Sequence, residues 1–380
     1  MPDFHDRLVQ SITEHLKSDT CRYVDNDMNY YMTENPSYLE KDRKHFEDND
    51  YDPHHINIDY ALGNLADKIR MQADEKSYFY DILDDEYSKN MLVLVATYNI
   101  LGHLFVKFPY YGCDNLKRRR ELYDLAHCPS GNPDIDEKFR NGFFGQMFPC
   151  FFYDGKKAGL NAQLYTYAEN FYSMIEKHNY EYILENGERI GVREGDYVFD
   201  CGMEIGDTAI LFALAAGNSG KIYSFEPHPF FYVAAKHNIN LNHHLADRIH
   251  SIKKAVYSTA GKKLRFELVS PGSRIIDTPR EYVNSIIVET TTIDRQAARL
   301  GLDRLDFIKM DIEGAELEAL RGAEETLRKF KPKLAVCLYH KPGDYLKIPK
   351  FINELGIGYR FYFDHTSPTG WDSICFATVA

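Results

Sequence analysis

Residues 200–208 read Asp200-Cys201-Gly202-Met203-Glu204-Ile205-Gly206-Asp207-Thr208. An apolar run, Tyr197 to Asp200, leads into them and an amphipathic segment, Asp207 to Ala216, leads out, which predicts a turn between a strand and a helix. Gly202 and Gly206 let the backbone bend and approach a ligand, but their spacing is not the Gly-x-Gly-x-x-Gly of a dinucleotide site. The acids sharpen the reading. A pyrophosphate wants a helix N-terminus free of competing anions, whereas Asp200, Glu204 and Asp207 put up to three carboxylates there. Such a turn suits a ligand with a cationic end.

Outward from this turn the pattern alternates. Tyr197–Asp200, Lys221–Phe225, Ile249–Val256, Leu305–Met310 and Lys333–Leu338 read as strands. Asp207–Ala216, Pro229–Leu241, Asp294–Leu300 and Ala315–Phe330 read as helices. That order predicts an α/β fold with a mostly parallel sheet covered on both faces. Gly358–Phe363 and Ser373–Val379 predict a terminal antiparallel pair. Lys263–Val269 and Ser285–Thr292 flank a loop, containing Pro, Gly and Arg, that is placed to project over the site. In such sheets ligands bind beyond the carboxyl ends of the strands, where Glu226, before Pro227, could accept both hydroxyls of a ribose. A ribose carboxylate serves NAD and S-adenosylmethionine alike, but the second also brings an α-ammonium and a sulfonium to the acidic turn.

The residues resemble the FkbM-type methyltransferase family. The resemblance rests on Val198-Phe199-Asp200-Cys201-Gly202, Ile205-Gly206-Asp207-Thr208, Ser224-Phe225-Glu226-Pro227-His228-Pro229, Asn238-Ile239-Asn240-Leu241-Asn242 and Thr292-Ile293-Asp294. Its most specific part is Asp306-Phe307-Ile308-Lys309-Met310-Asp311-Ile312-Glu313-Gly314-Ala315-Glu316. It covers about 180–380, with a fainter likeness back through 84–108. The family implies a Rossmann-like class I methyltransferase fold and methyl transfer, usually to an oxygen of a sugar, glycan or secondary metabolite. One departure is Met203-Glu204, where the family commonly has Ala-Asn; Glu204 either holds the cofactor's amino-acid end ionically or weakens its binding.

The expected cofactor-binding set is Asp200, Gly202, Met203, Glu204, Gly206, Asp207, Thr208, Glu226, Pro227 and Asp311. For the acceptor's proton, Lys309 and Asp311 follow the fourth strand and His340 the fifth. His340 is the preferred base, as an imidazole of near-neutral pKa, with Asp311 placed for both cofactor and acceptor. A divalent cation held by Asp311, Glu313, His340 and His365 is an alternative that spacing alone does not establish.

Before residue 160 the pattern is weaker. Residues 1–75 carry turn signals at Asn35-Pro36, Asp48 to Asp50 and Asp52-Pro53. Tyr78 to Phe105 repeats apolar residues at three- and four-residue steps, predicting one helix with Asp84, Asp85 and Glu86 near its start. Asp114 to Asp154 reads as irregular, and Asn161 to Tyr182 as strand or helix. The division expected is a mainly helical accessory region over 1–160, suited to substrate recognition, and the cofactor domain over 161–380. Tyr and Phe, 28 and 24 in number, fill a core or offer contact surface.

The 380 residues carry a net charge of -12, which argues against general affinity for nucleic acid. The basic run Lys117 to Arg120 reads as a solvated helix face. The seven cysteines show no Cys-x-x-Cys spacing and suit free thiols in a reducing, cytoplasmic setting. Met1 to Lys17 does not resemble a secretory signal, and Met91 to Phe108, broken by Asn99, His103 and Lys107, is short for a bilayer span of about 20 residues. Two other classes stay open: a non-catalytic scaffold built on a cofactor fold, and a nicotinamide-dependent oxidoreductase, which the glycine spacing and the acids disfavour. Oligomeric state and acceptor identity leave no trace in the sequence.

Overall fold

The computed structural model describes residues 3–17, 57–102, 105–106, 108–109, 113–142, 149–177, 180–268, 275–276, 285–367 and 371–379. The turns expected between 35 and 53 and the loop expected over the site lie outside them, apart from Ile275–Ile276, which adds a short strand to Lys263–Glu267. The chain divides into two compact units, Met1–Arg118 with Tyr362–Ser373, and Arg119–Phe361 with Ile374–Ala380.

The first unit is helical. Helix α1 (Phe4–Lys17) buries Phe4, Leu8, Ile12 and Leu16, one residue per turn along one stripe, and packs on α2 (Ile58–Ile82) and α3 (Glu86–Leu101). The single helix expected from Tyr78 is two helices, because Asp85 caps a fresh start by accepting the Ser88 N–H at 2.8 Å. Residues 362–373 complete this unit. The Phe363 ring meets Phe79 edge-on with centroids 5.8 Å apart, and the Tyr362 hydroxyl donates to Asp84 at 3.0 Å.

The second unit contains most of a seven-stranded sheet: β1 (Tyr197–Cys201), β2 (Lys221–Phe225), β3 (Ile249–Ile252), β4 (Phe307–Met310), β5 (Lys333–Cys337), β6 (Tyr359–His365) and β7 (Ser373–Val379), in the order β6-β7-β5-β4-β1-β2-β3. The five from β5 to β3 run parallel, and β7 is antiparallel to β5. The Rossmann-like α/β class is therefore the fold observed. Val198, Phe199, Phe307, Ile308, Leu334 and Val336 are fully or almost fully buried, each stabilising the sheet by about 1.5–3 kcal/mol. Helices α4 (Asp207–Ala215) and α5 (Pro229–Leu241) follow β1 and β2.

Three expected elements divide or appear anew. The run Ile249–Val256 is β3 plus Ala255–Val256, which joins a separate small sheet. The run Ala315–Phe330 is two helices, Glu316–Arg321 and Glu324–Phe330; the second has its own cap, because Asp294 accepts the Thr326 N–H at 2.8 Å. The stretch read as irregular holds helices Cys113–Ala126 and Pro133–Arg140. There Asn132 caps the second helix and Pro133 stands in its first turn. Arg119 of the basic run is buried, paired with Glu169 at 2.8 Å and stacked over Tyr172. Among the described residues no helix is long and apolar enough to cross a membrane, and Cys128, Cys150, Cys201, Cys337 and Cys375 are free thiols.

Candidate functional site

The carboxyl ends of β1, β2, β4 and β5 gather the expected residues. Asp200, one residue before the end of β1, is fully buried, accepting the Thr208 hydroxyl at 3.1 Å and facing the Lys309 ammonium at 3.4 Å. Burial raises its pKa, and Lys309 opposes that rise. Lys309, in register with Asp200 on β4, also donates to the Gly202 carbonyl. Burial works against the lysine charge, but Asp200 and Asp311 outweigh it and hold the pKa above the usual value. Lys309 thus ties the turn to the sheet.

The turn itself is tight. Gly202 has φ +85°, and a Cβ there would lie 1.9 Å from the Asp311 carbonyl oxygen; Gly206, at φ +87°, lies against Ala235 of α5. Met203 is buried. Glu204 adopts φ +44°, uncommon for a residue with a side chain. Its N–H donates to Glu226 at 3.0 Å, and Glu226 also accepts the His228 N–H at 2.8 Å. The carboxylate after β2 therefore organises both loops. Burial, then the neighbouring Asp207, pushes Glu204 up to about 8; burial also takes Glu226 to about 8 against its two backbone hydrogen bonds. His228 caps α5 through Nδ1, and burial lowers its pKa to about 4, which keeps that nitrogen an acceptor.

A strap preceding the sheet closes over this turn. The Tyr167 hydroxyl donates to Glu204 at 2.7 Å; Thr166 and Asn170 donate to Asp207 at 2.9 and 2.8 Å. Tyr180, itself at φ +62°, donates to Asp311 at 2.8 Å, with the Lys309 ammonium 5.1 Å from its ring centroid. Sequence reasoning missed Thr166, Tyr167, Asn170 and Tyr180. They sit 37 to 131 positions from the acids they touch, and no local pattern marks them.

Around Asp311 a second group assembles. The Tyr339 hydroxyl donates to it at 3.2 Å, and His340 Nε2 lies 3.3 Å from Asp311 Oδ1 and 3.5 Å from Glu313 Oε2. His340 Nδ1 lies 3.0 Å from Glu316 Oε1. The near-neutral imidazole expected at His340 is corrected by these neighbours: burial lowers its pKa, but Glu316 and Asp311 more than reverse this and hold it above the usual value. Burial would raise Asp311, but His340 and Lys309 hold it below the usual carboxylate range. His365 belongs to the other unit, where its ring lies 4.0 Å from Phe108 and its Nδ1 2.8 Å from the Ser373 hydroxyl. Among the described residues a metal-capable group is Asp311, Glu316 and His340. Glu316 lay within the quoted motif but was read as a helix residue.

Residues 200–361 match the model of the methyltransferase FkbM domain. No curated protein matches the chain. Among solved structures, methyltransferase FkbM from Methylobacillus flagellatus KT is 18% identical, with 83% of this chain and 60% of that chain covered and a TM-score of 0.46. The O-methyltransferase from Bacillus cereus in complex with SAH is 13% identical over 48% of this chain and 74% of its own, at a TM-score of 0.32. Aeropyrum pernix fibrillarin with natively bound S-adenosyl-L-methionine is 14% identical over 49% and 67%, at 0.33. The segment 200–361, from the acidic turn to the start of β6, is thus similar to the FkbM methyltransferase domain.

Proposed function

We propose that this chain is an S-adenosylmethionine-dependent methyltransferase whose acceptor atom is an oxygen, on a sugar, glycan or secondary metabolite. One observation carries the reading: a ring of carboxylates around the Gly202 turn, with Asp200, Asp207 and Glu226 buried, inside the segment that matches the FkbM family. Glu204 and Glu226 sit at about 8 because burial strips them of water. A ligand bringing an ammonium and two ribose hydroxyls offsets that loss, whereas a pyrophosphate adds charge of the same sign. Asp200, Gly202, Met203, Glu204, Gly206, Asp207 and Thr208 would hold its amino-acid end, Glu226 and Pro227 its ribose, and Asp311 the edge shared with the acceptor.

When bound, the cofactor supplies an electrophilic methyl on a sulfonium. The chain's part is to align an acceptor oxygen with it, which supplies up to ~7–11 kcal/mol. Asp311, ionised and reached by two tyrosine hydroxyls, is the group that orients the acceptor hydroxyl and takes its proton, its lowered pKa keeping it short of the roughly 10²–10⁴-fold of a base matched to neutral pH. His340 and Lys309 hold Asp311 ionised. Calorimetry of S-adenosylhomocysteine on the full chain tests the cofactor, and labelled S-adenosylmethionine with a cell extract, read by mass spectrometry, tests the acceptor. Binding of NAD in place of S-adenosylhomocysteine would transfer the site to the oxidoreductase class.

A further inference from the structure

Between the ends of β4 and β5, His340 presents both ring nitrogens to carboxylates. Its side chain is 6% exposed, and neither nitrogen makes a hydrogen bond of acceptable geometry. Glu316 is 1% exposed; its Oε1 accepts the Ile312 N–H at 2.8 Å, while its Oε2 is buried with no hydrogen-bond partner. Buried polar atoms of this kind are uncommon, and each calls for an explanation such as a bound ion. One ligand atom each from Asp311, Glu316 and His340 lies within 4.8 Å of the others. The separations of 3.3 and 3.5 Å from Nε2 to Asp311 and Glu313 are close to those between adjacent ligands of one metal ion, since bonds of ~2.0–2.2 Å at right angles put neighbours about 3 Å apart.

We propose that Asp311, Glu316 and His340, with the flanking Glu313, form a binding site for one divalent cation of the Mn²⁺ or Zn²⁺ kind, at the acceptor end of the site. The inference rests on the methyltransferase reading for its role and on the cluster alone for its existence. One imidazole among carboxylates suits these ions better than the all-oxygen shell that Ca²⁺ takes. Asp311, Glu316 and His340 are the ligands, one atom of each lying within 4.8 Å of the others, and Glu313, 3.5 Å from Nε2, flanks them. A cation there lowers the pKa of a hydroxyl bound to it, taking over part of the work assigned to Asp311. His365, in the other unit, is not part of the set.

The test is titration of the chelator-treated full chain with Mn²⁺ alone, followed by electron paramagnetic resonance and calorimetry, with no cofactor present. Wild type is expected to bind an equivalent of Mn²⁺ that His340→Ala and Asp311→Asn abolish and that Glu316→Gln weakens about 10–100-fold. The exposed group Asp3, His5 and Asp6 is the competing binder, so His5→Ala is expected to leave that equivalent in place. No bound Mn²⁺ or Zn²⁺ in wild type overturns the proposal without recourse to any variant, as does binding that survives His340→Ala. Parallel titration with S-adenosylhomocysteine separates the two readings: cofactor binding without metal binding removes the cation site alone.

Discussion

Glu204 combines two unfavourable features, a left-handed backbone and a desolvated carboxyl, and keeps them because Glu226 and Tyr167 grip it from both sides. Position 204 is where the resembling family commonly has Asn, a residue that tolerates this conformation better than most. The acid has a consequence in pH. A carboxyl raised from 4.5 to about 8 binds its proton more tightly in the folded chain, so its contribution to stability is present at low pH and is lost as pH rises through that interval. The melting temperature is expected to fall between pH 5 and 8 more steeply in wild type than in the double variant Glu204→Gln with Glu226→Gln; equal slopes would remove these groups from the linkage. Glu226→Ala, which orphans two backbone N–H groups as well as the ribose, is expected to weaken S-adenosylhomocysteine by about 1.5–3 kcal/mol in calorimetry. Unchanged affinity would take Glu226 out of the site.

The Asn-rich motif at 238–242 acts on a neighbouring element. Asn238 accepts the Tyr165 N–H at 2.8 Å and donates to the carbonyls of Tyr165 and Ile205, both at 2.8 Å, while Asn242 makes the matching pair of bonds with Gln163. Helix α5 therefore carries the edge of the hairpin Phe151–Asp154 and Gln163–Thr166, from which the strap continues to Tyr167 and Tyr180. Asn238→Ala leaves several buried backbone groups unpaired, at about 1–3 kcal/mol for each group that finds no new partner. The expected result is a lower melting temperature and weaker S-adenosylhomocysteine binding together; a drop in stability with intact affinity would uncouple the strap from the site. Strands β1, β2 and β4 were legible because their apolar runs end in acids, and α4 and α5 because they start after a glycine or at a proline. The strap was not, since what fixes it is hydrogen bonding across more than seventy residues to asparagines whose spacing reads only as helix. The break at Leu83–Asp85 was hidden differently: apolar periodicity continues across it, and only the cap at Asp85 restarts the helix.

Where the chain can be cut follows from its cores. Phe139, Cys150 and Phe152 share one buried cluster with Tyr165, Ile205, Phe231 and Ala234. A fragment beginning at residue 161 loses the first three, each aromatic worth about 3–5 kcal/mol when truncated to Ala in a core. It is expected to aggregate, or to melt well below a fragment beginning at residue 113; equal solubility and equal melting of the two would show that the hairpin is dispensable. The expected boundary near 160 came from the weakening of the strand-and-helix pattern, and that pattern does not register that aromatic residues before it pack on residues after it.

The chain leaves the second unit at 362 and returns at 374 to place β7 between β5 and β6. During synthesis this fixes a schedule. The helices that end at Leu101 leave the ribosome long before Tyr362, Phe363 and His365, the residues that contact Asp84, Phe79 and Phe108. At about 5–20 residues per second the wait is tens of seconds. Throughout it the first helices of the nascent chain have only one another to pack against, with the apolar surface around Phe79 and Phe108 open to chaperones.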